Sequence, residues 1–117
     1  MVSVGDDREL MIWMIKEKEF VSCGRIITPH TWTVYSVSWS KHGNYIATSG
    51  GDNKIYVYEI NWDSLFRGDG EFEYILISES DNETGHQNDV NCVVFSPHSN
   101  ILASCSDDLS IWLWKFN

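Results

Sequence analysis

The chain has 117 residues and a mass of 13.5 kDa, and hydrophobic residues, including six Trp, make up 43% of it. This composition is typical of a chain that packs a core and excludes an intrinsically disordered protein. Seventeen acidic and eight basic residues give a net charge of −9, which argues against nucleic acid and membrane partners because phosphate backbones and anionic lipids are themselves negative.

The predicted elements are short strands separated by turns. In chain order, the predicted strands span residues 10–15, 20–28, 34–39, 45–49, 54–58, 71–77, 90–95, 101–105 and 110–114. They are rich in β-branched and aromatic residues, and segments containing Gly and Asn at 41–44 and 50–53 provide turn chemistry between them. No stretch has a helical period of useful length, so we predict an all-β chain.

A long internal repeat relates the middle of the chain to its end. A shift of 56 positions aligns residues 30–60 with residues 86–116 without a gap. Nine pairs are identical: His30 and His86, Val34 and Val90, Val37 and Val93, Ser40 and Ser96, His42 and His98, Asn44 and Asn100, Ala47 and Ala103, Asp52 and Asp108, Ile55 and Ile111. The chain start repeats the end of this unit, with an Asp six positions before an aromatic residue in each copy: Asp7 and Trp13, Asp52 and Tyr58, Asp108 and Trp114. Such a period predicts a repeat architecture.

The landmarks of the last unit resemble the WD40 repeat: Gly85-His86, Phe95-Ser96-Pro97, Asp107-Asp108 and Leu113-Trp114. The resemblance implies a β-propeller fragment of about two and a half four-stranded antiparallel blades, the carboxyl-terminal part of a seven-bladed ring. Residues 1–29 would form a partial blade (the end of strand b, and strands c and d), residues 30–78 a complete blade with an acidic insert around 61–70, and residues 79–117 a last blade without its outer strand. We expect such a partial ring to expose an apolar face and open strand edges and to self-associate.

The repeated polar residues allow two interpretations. Ser104, His86 and Asp108 could act as nucleophile, base and orienting acid of a hydrolase. The resemblance instead implies a structural tetrad of hydrogen-bonded side chains in each blade. Its members here would be His86, Ser104, Asp108 and Trp114, then His30, Thr48, Asp52 and Tyr58, with Asp7 and Trp13 at the chain start. Recurrence favours the structural role, because an enzyme needs one active site whereas every blade needs its own support. Tyr58 replaces Trp in the middle unit and lacks the indole N–H.

Other chemistry has weaker support. Cys23, Cys92 and Cys105 are odd in number and lack Cys-x-x-Cys spacing, which argues against disulfides and against zinc or iron–sulfur ligation. We expect Cys92 and Cys105 to be small apolar residues on inner strands. Gly50-Gly51 precedes a strand instead of a helix, unlike a phosphate-binding loop. We therefore predict no cofactor and no metal, and, since no signal peptide is present at the start of the sequence, an intracellular protein.

Two features lie outside the repeat. Trp32 and Trp62 have no counterparts in the other unit, so either could anchor a partner, although loop packing explains them as well. Residues 61–85 hold seven acidic residues against Arg67 alone. This segment could steer a basic partner or simply keep a loop solvated.

The strings Asp89-Val90-Asn91-Cys92-Val93 and Ala103-Ser104-Cys105-Ser106-Asp107-Asp108 are more specific. They are similar to the last blade of the cytosolic iron–sulfur protein assembly WD-repeat family. That resemblance implies a non-catalytic scaffold of the cytosolic iron–sulfur targeting complex, in the cytoplasm and also in the nucleus. Its implied partners are a Mip18-family protein, a HEAT-repeat targeting factor, an iron-only-hydrogenase-like cluster carrier and iron–sulfur apoprotein clients. The alternative is a generic WD40 adaptor of a ubiquitin-ligase or signalling complex, which would share every repeat landmark.

Overall fold

The computed structural model describes residues 1–67 and 72–115, and almost all regular structure within them is strand. The strands are β1 Val2–Ser3, β2 Glu9–Lys16, β3 Glu19–Ile27, β4 Val34–Trp39, β5 Tyr45–Gly50, β6 Ile55–Ile60, β7 Tyr74–Glu79, β8 Val90–Phe95, β9 Ile101–Ser106 and β10 Ile111–Lys115; a short helix, α1, spans Trp62–Phe66. The predicted all-β class is therefore confirmed. The start of the strand predicted at 71–77, residues 68–70 of the acidic insert and the end of the repeat at 116 lie outside the described residues.

The strands form three antiparallel sheets that follow one another along the chain. The first contains β1, β2 and β3, the second contains β4 to β7 in order, and the third contains β8, β9 and β10. Among the described residues, only the second sheet has four strands. The arrangement is a partial propeller with one complete blade between two three-stranded ones, in agreement with the predicted fragment of a β-propeller.

The repeat in the sequence is also a repeat in backbone geometry. Arg8, Asn53 and Leu109 occupy equivalent turns of the three sheets, and their φ angles of 61°, 68° and 68° all lie in the left-handed region. Asn adopts this conformation readily, whereas Arg and Leu do so less often. Because three different side chains share one conformation, the turn is imposed by its surroundings more than by the residue at its tip.

Two hydrophobic clusters hold the three sheets together. The cluster between the first and second sheets contains Leu10, Ile12, Ile26, Ile46, Tyr56, Tyr58, Ile60 and Leu65. The cluster between the second and third sheets contains Ala47, Ile55, Val57, Val90, Val93, Phe95 and Leu102. β6 supplies both clusters, since alternate residues of a strand point to opposite faces: Tyr56 and Tyr58 point to the first sheet, and Ile55 and Val57 to the third. The second sheet is therefore the centre of the molecule.

The helix α1 was missed by the sequence analysis. It has five residues, too few to show a helical period, and Asn61 caps its N-terminus, where the Asn61 side chain accepts a hydrogen bond from the backbone N–H of Ser64 at 3.2 Å. Leu65 turns inward against Gly24 of β3, where an added Cβ would lie 2.8 Å from the Leu65 Cδ1 atom. α1 thus covers part of the outer side of the first interface.

Cys92 and Cys105, expected to be small apolar residues on inner strands, lie on strands β8 and β9, but neither is buried. Cys92 on β8 is exposed, and its register partner Cys105 on β9 is half-buried. By their register, both lie on the opposite face of the third sheet from Val93 and Ser104, although the Ser36 hydroxyl of the second sheet donates to Sγ of Cys92 at 3.8 Å. The equivalent pair in the second sheet, Ser36 and Ser49, lies against the third sheet, and Ser49 is fully buried there. The sequence pattern identifies the strands but not which of their faces has a neighbour.

We predict that two alanine substitutions at one repeat position have different effects. Ile55 is 4% exposed in the second cluster, whereas its equivalent Ile111 is 77% exposed. Ile55→Ala should lower the free energy of unfolding by ~2–5 kcal/mol because it removes buried methyl groups and leaves a cavity. Ile111→Ala should change it by less than ~0.5 kcal/mol. Urea unfolding of dilute protein measures both, and equal losses would contradict the assigned sheet order.

Candidate functional site

The third sheet carries a continuous chain of four hydrogen-bonded side chains. Nδ1 of His86 lies 2.8 Å from Oδ2 of Asp108, and its Nε2 lies 2.7 Å from Oγ of Ser104. The indole N–H of Trp114 donates to the same Ser104 oxygen at 2.8 Å. Since the carboxylate can only accept, Nδ1 donates to it, and in a neutral imidazole Nε2 then accepts a hydrogen bond from the Ser104 hydroxyl. The structure thus brings together the four residues that the repeat singled out.

This network fastens the loop before β8 to the turn before β10. Asp108 also accepts hydrogen bonds from the backbone N–H of Gln87 at 3.0 Å and from that of Ser110 at 2.9 Å. The Ser110 hydroxyl, followed by the Gln87 N–H and the His86 ring, lowers the pKa of Asp108. One carboxylate therefore holds two connecting segments that are far apart in the sequence.

The relative positions of Ser104, His86 and Asp108 match the hydrogen-bond order of a Ser-His-Asp triad, but their surroundings do not suit catalysis. Ser104 is 3% exposed and His86 is 2% exposed. The Ser104 oxygen already accepts the Trp114 N–H, so the oxygen that would attack a substrate is buried and occupied. The arrangement can hold a structure together, whereas a substrate has no route to the hydroxyl.

The second sheet repeats most of this network. His30 Nδ1 lies 2.9 Å from Oδ1 of Asp52, and Nε2 lies 2.9 Å from Oγ1 of Thr48. Asp52 also accepts the backbone N–H groups of Thr31 at 2.9 Å and Lys54 at 3.2 Å. Burial opposes its ionisation, but the His30 and Thr31 hydrogen bonds outweigh that effect and lower the pKa of Asp52. The hydrogen-bond network that links a loop to a turn is therefore present in both the second and the third sheet.

Tyr58 occupies the Trp position of the second network and does not complete it. The buried Tyr58 hydroxyl has no hydrogen-bond partner within the described part of the chain. Burial raises the pKa of Tyr58, and the nearby Thr48 hydroxyl, which does not meet the geometry of a hydrogen bond, opposes only part of this rise. The replacement of Trp by Tyr at this position, which the sequence shows, therefore leaves the second network one hydrogen bond short of the third.

The first sheet holds the end of a third network, including one residue that the sequence analysis missed. Trp13 donates its indole N–H to Oγ of Ser3 at 2.8 Å, and Asp7 accepts the backbone N–H of Glu9 at 3.0 Å. The register that aligns Asp7 with Asp52 also aligns Ser3 with Thr48. Extending the repeat by four residues toward the chain start would have identified Ser3.

The two tryptophans outside the repeat lie in different environments. Trp62, in α1, is half-buried and stacks on Trp39 with ring centroids 4.9 Å apart. Its indole N–H donates to the carbonyl of Gly43 at 2.6 Å. Trp32 is 63% exposed, although it lies on the backbone of Gly51, where a Cβ would be 2.5 Å from its Cδ1 atom. Trp32 presents a large free aromatic surface, and Trp62 is mainly a packing residue.

The surface around Trp32 is aromatic and acidic. Tyr35, which is 44% exposed, lies against the same Gly51 backbone and donates its hydroxyl to Oδ2 of Asp89 at 3.1 Å. This hydrogen bond, with the charges of Asp89, Asp107 and Asp6, raises the pKa of Tyr35. The loops at this end of the sheets therefore combine flat apolar rings with negative charge.

The acidic segment is exposed where it is described. Glu73 lies 4.0 Å from Arg67 and accepts the Asn61 side-chain N–H at 3.0 Å, and Glu79 lies 3.9 Å from Lys54. Asp69 and Glu71 lie outside the described residues. Within residues 1–67 and 72–115, no three His, Cys, Asp or Glu side chains are placed to hold a metal ion. Nor does any helix in this described part of the chain have the length and apolar character of a membrane span.

Comparison with known proteins identifies the repeat. The family model described as WD domain, G-beta repeat matches residues 21–59 and 77–115. A Caenorhabditis elegans protein, named a probable cytosolic iron-sulfur protein assembly protein CIAO1 homolog, is 31% identical over 98% of this chain and 32% of its own length. A Drosophila mojavensis protein named a probable cytosolic iron-sulfur protein assembly protein Ciao1 is 41% identical over 74% of this chain and 25% of its own length.

A Dictyostelium discoideum protein, also named a probable cytosolic iron-sulfur protein assembly protein CIAO1 homolog, is 39% identical over 70% of this chain and 23% of its own length. The chain thus spans about a quarter to a third of the length of the curated relatives it matches.

The lowered pKa of Asp108 predicts how stability depends on pH. A folded-state pKa below the unfolded value of ~3.9 means that the contribution of Asp108 is present above that value and is lost as the pH falls toward the folded value. Asp108→Asn removes this titration. We expect the free energy of unfolding, measured in urea between pH 6 and pH 3, to fall less steeply for Asp108→Asn than for the unmodified chain. Parallel pH profiles would contradict the assigned role.

Proposed function

The chain belongs to the WD40-repeat family, and on that basis we propose that it is a non-catalytic scaffold for protein interactions in cytosolic iron–sulfur protein assembly. The observation that carries this proposal is its similarity to proteins named for that process, which extends over 98% of the chain for the Caenorhabditis elegans relative. The hydrogen-bond networks are buried and repeated, which supports a structural role for Ser104, His86 and Asp108, the residues that could otherwise suggest a hydrolase.

We assign these networks the role of a structural tetrad. His86, Ser104, Asp108 and Trp114 form the complete set, and His30, Thr48, Asp52 and Tyr58 form the second, with Asp7 and Trp13 in the first sheet. Each buried polar atom that has a partner avoids the cost of desolvation without a hydrogen bond, ~1–3 kcal/mol per group. The networks hold the exposed loops in fixed positions, as a docking platform requires.

The partners proposed are those of the iron–sulfur targeting machinery: a Mip18-family protein, a HEAT-repeat targeting factor, an iron-only-hydrogenase-like cluster carrier and apoprotein clients. In this mechanism, the chain aligns proteins that themselves hold the cluster. The three thiols do not converge, since Cys23 lies on the first sheet, whereas Cys92 and Cys105 lie on the third. The site of action would be the cytoplasm, and also the nucleus for nuclear apoproteins.

The loop surface at Trp32 is the docking site we favour. A large exposed aromatic ring on a rigid turn is typical of residues that dominate binding energy at interfaces. Asp6 accepts the Thr33 hydroxyl at 2.9 Å and so fixes the loop that carries Trp32. Trp62 contributes less exposed ring surface, because it stacks on Trp39. Acidic side chains beside Trp32 would favour a basic partner segment and speed encounter at low salt.

A generic WD40 adaptor is the second candidate. The family match by itself supports it equally, since a propeller fold hosts many unrelated functions. The two candidates differ in the partners that they predict. Recovery of ubiquitin-ligase or signalling proteins, without any iron–sulfur assembly factor, would favour the adaptor.

We predict that Trp32→Ala weakens binding of a purified Mip18-family protein by ~10-fold or more, the loss expected when a central aromatic anchor is removed. Phe66→Ala is the matched control, because Phe66 is also 63% exposed but lies on α1. Binding is measured with the immobilised 117-residue chain and the purified partner in solution. No binding by the unmodified chain would contradict the proposed function, and equal losses for the two variants would contradict the Trp32 surface alone.

A further inference from the structure

A cleft between the second and third sheets lies at the opposite end of these sheets from Trp32. Trp32 precedes β4, whereas the cleft is formed by the turn that follows β4 and the equivalent turn that follows β8. Because β4 has six residues, the cleft and Trp32 are ~20 Å apart. The volume of the cleft is about 250 Å³, below the ~300–1,000 Å³ of sites for drug-sized ligands. It therefore suits a small chemical group.

The cleft carries basic side chains, although the chain has a net charge of −9. Lys41 and His42 come from the second sheet and His98 from the third, and none of the described residues that line the cleft is acidic. Glu59, which is opposite Tyr45 in the second sheet, lines a separate groove. Carboxylates further away are screened at physiological salt, where the Debye length is ~8 Å. An anion in the cleft would therefore meet no like charge on the described lining.

These three basic side chains are exposed and available to a ligand. Within residues 1–67 and 72–115, the Lys41 ammonium and the imidazoles of His42 and His98 take part in no hydrogen bond or ion pair. The other two histidines, His30 and His86, have both ring nitrogens bound in the networks described above. One repeated histidine thus holds the fold together, whereas the other presents its ring to solvent as a possible donor.

Two tryptophans hold the turn that carries Lys41 and His42. The carbonyl of Gly43 accepts the indole N–H of Trp39 at 2.9 Å and that of Trp62 at 2.6 Å. The φ angle of Gly43, 77°, lies in the left-handed region, which glycine adopts at little cost. The equivalent turn of the third sheet has Phe in place of Trp39 and so lacks this indole. The turn is therefore fixed before a ligand arrives, which reduces the entropy lost on binding.

We propose that this cleft binds a phosphate group, either as the free ion or on a phosphorylated serine or threonine side chain. Phosphate oxygens point in several directions and need donors from more than one side. Lys41 and His42 approach from one turn and His98 from the other. Ser40 and Ser96 also line the cleft, and although their hydroxyl oxygens accept backbone N–H groups at 3.1 Å and 3.2 Å, each hydroxyl keeps a proton to donate.

A carboxylate is the main alternative ligand. Its two oxygens lie in one plane and are matched best by the forked donors of arginine, whereas lysine binds phosphate as a point charge. None of the described residues that line the cleft is arginine. The donor set therefore favours phosphate over a carboxylate.

The test follows the four imidazoles of the chain by NMR, with isotope-labelled histidine in dilute 117-residue protein. Inorganic phosphate is added at constant pH and ionic strength. We expect the signals of His42 and His98 to shift and saturate together, and those of His30 and His86, which are buried, to stay in place. Because no partner protein is present, the result does not depend on the proposed function.

A pair of lysine variants tests whether the cleft itself binds the ion. Lys41→Gln should raise the dissociation constant for inorganic phosphate ~10-fold or more, because it removes a charge-assisted hydrogen bond. Lys16→Gln is the matched control, since Lys16 is also exposed but lies at the end of β2 in the first sheet. Unchanged signals of His30 and His86 show that both variants keep their fold. The absence of a saturable shift at His42 and His98, or equal dissociation constants for the two variants, would overturn the proposal.

Two short neutral peptides, identical except that one carries phosphoserine, distinguish the sources of the phosphate. Tyr45 and Phe95 also line the cleft, so the carbon atoms of a phosphorylated side chain would contact aromatic ring surface. Tighter binding of the phosphoserine peptide than of inorganic phosphate would assign the cleft to a phosphorylated protein segment, and the reverse order would assign it to the free ion. The unphosphorylated peptide should leave His42 and His98 unshifted; binding as tight as that of its phosphorylated twin would contradict a phosphate site.

Discussion

The hydrogen bond between a buried imidazole and a turn carboxylate is the contact on which the rest of this structure depends. His86 and Asp108 are 22 positions apart, and their contact draws the loop before β8 onto the turn before β10. His30 and Asp52 do the same for the second sheet at the same separation. Once this bond is made, the other ring nitrogen must find a partner, and the strand hydroxyl of Ser104 or Thr48 provides it. The loops then have defined positions above the sheets.

Each network also contributes to the packing of one sheet on the next. The aromatic residue at its end, Trp114 or Tyr58, packs against aliphatic residues of the preceding sheet. One face of the second sheet and one face of the third thus combine a polar network with aromatic surface, and the opposite face of the second sheet is aliphatic. Because of this difference between the two faces, each sheet packs on the preceding one in the same orientation. This difference also explains why similar residues are buried in one sheet and exposed in another: their burial depends on whether a neighbouring sheet is present.

The sequence predicted those features that the repeat determines and missed those that depend on single contacts. The strands at 34–39 and 90–95 were predicted with the observed bounds, because apolar alternation and flanking turn residues coincide there. β7 begins at Tyr74 and α1 precedes it in a segment without a counterpart in the other unit, so no second copy helped to define them. The exposure of Cys92 could not be read from its strand. Ser3 could have been found by extending the repeat toward the chain start.

The central claim is that the repeated Ser, His and Asp residues are architectural and that function resides in the surfaces they position. Ser104→Ala, followed by urea unfolding together with assays of ester and peptide hydrolysis, tests this most directly. The variant leaves the Trp114 N–H and the His86 ring without the oxygen they share. The account predicts a loss of ~1–3 kcal/mol in the free energy of unfolding, with no hydrolytic activity to lose. Unchanged stability together with the loss of a measurable hydrolytic activity would contradict it.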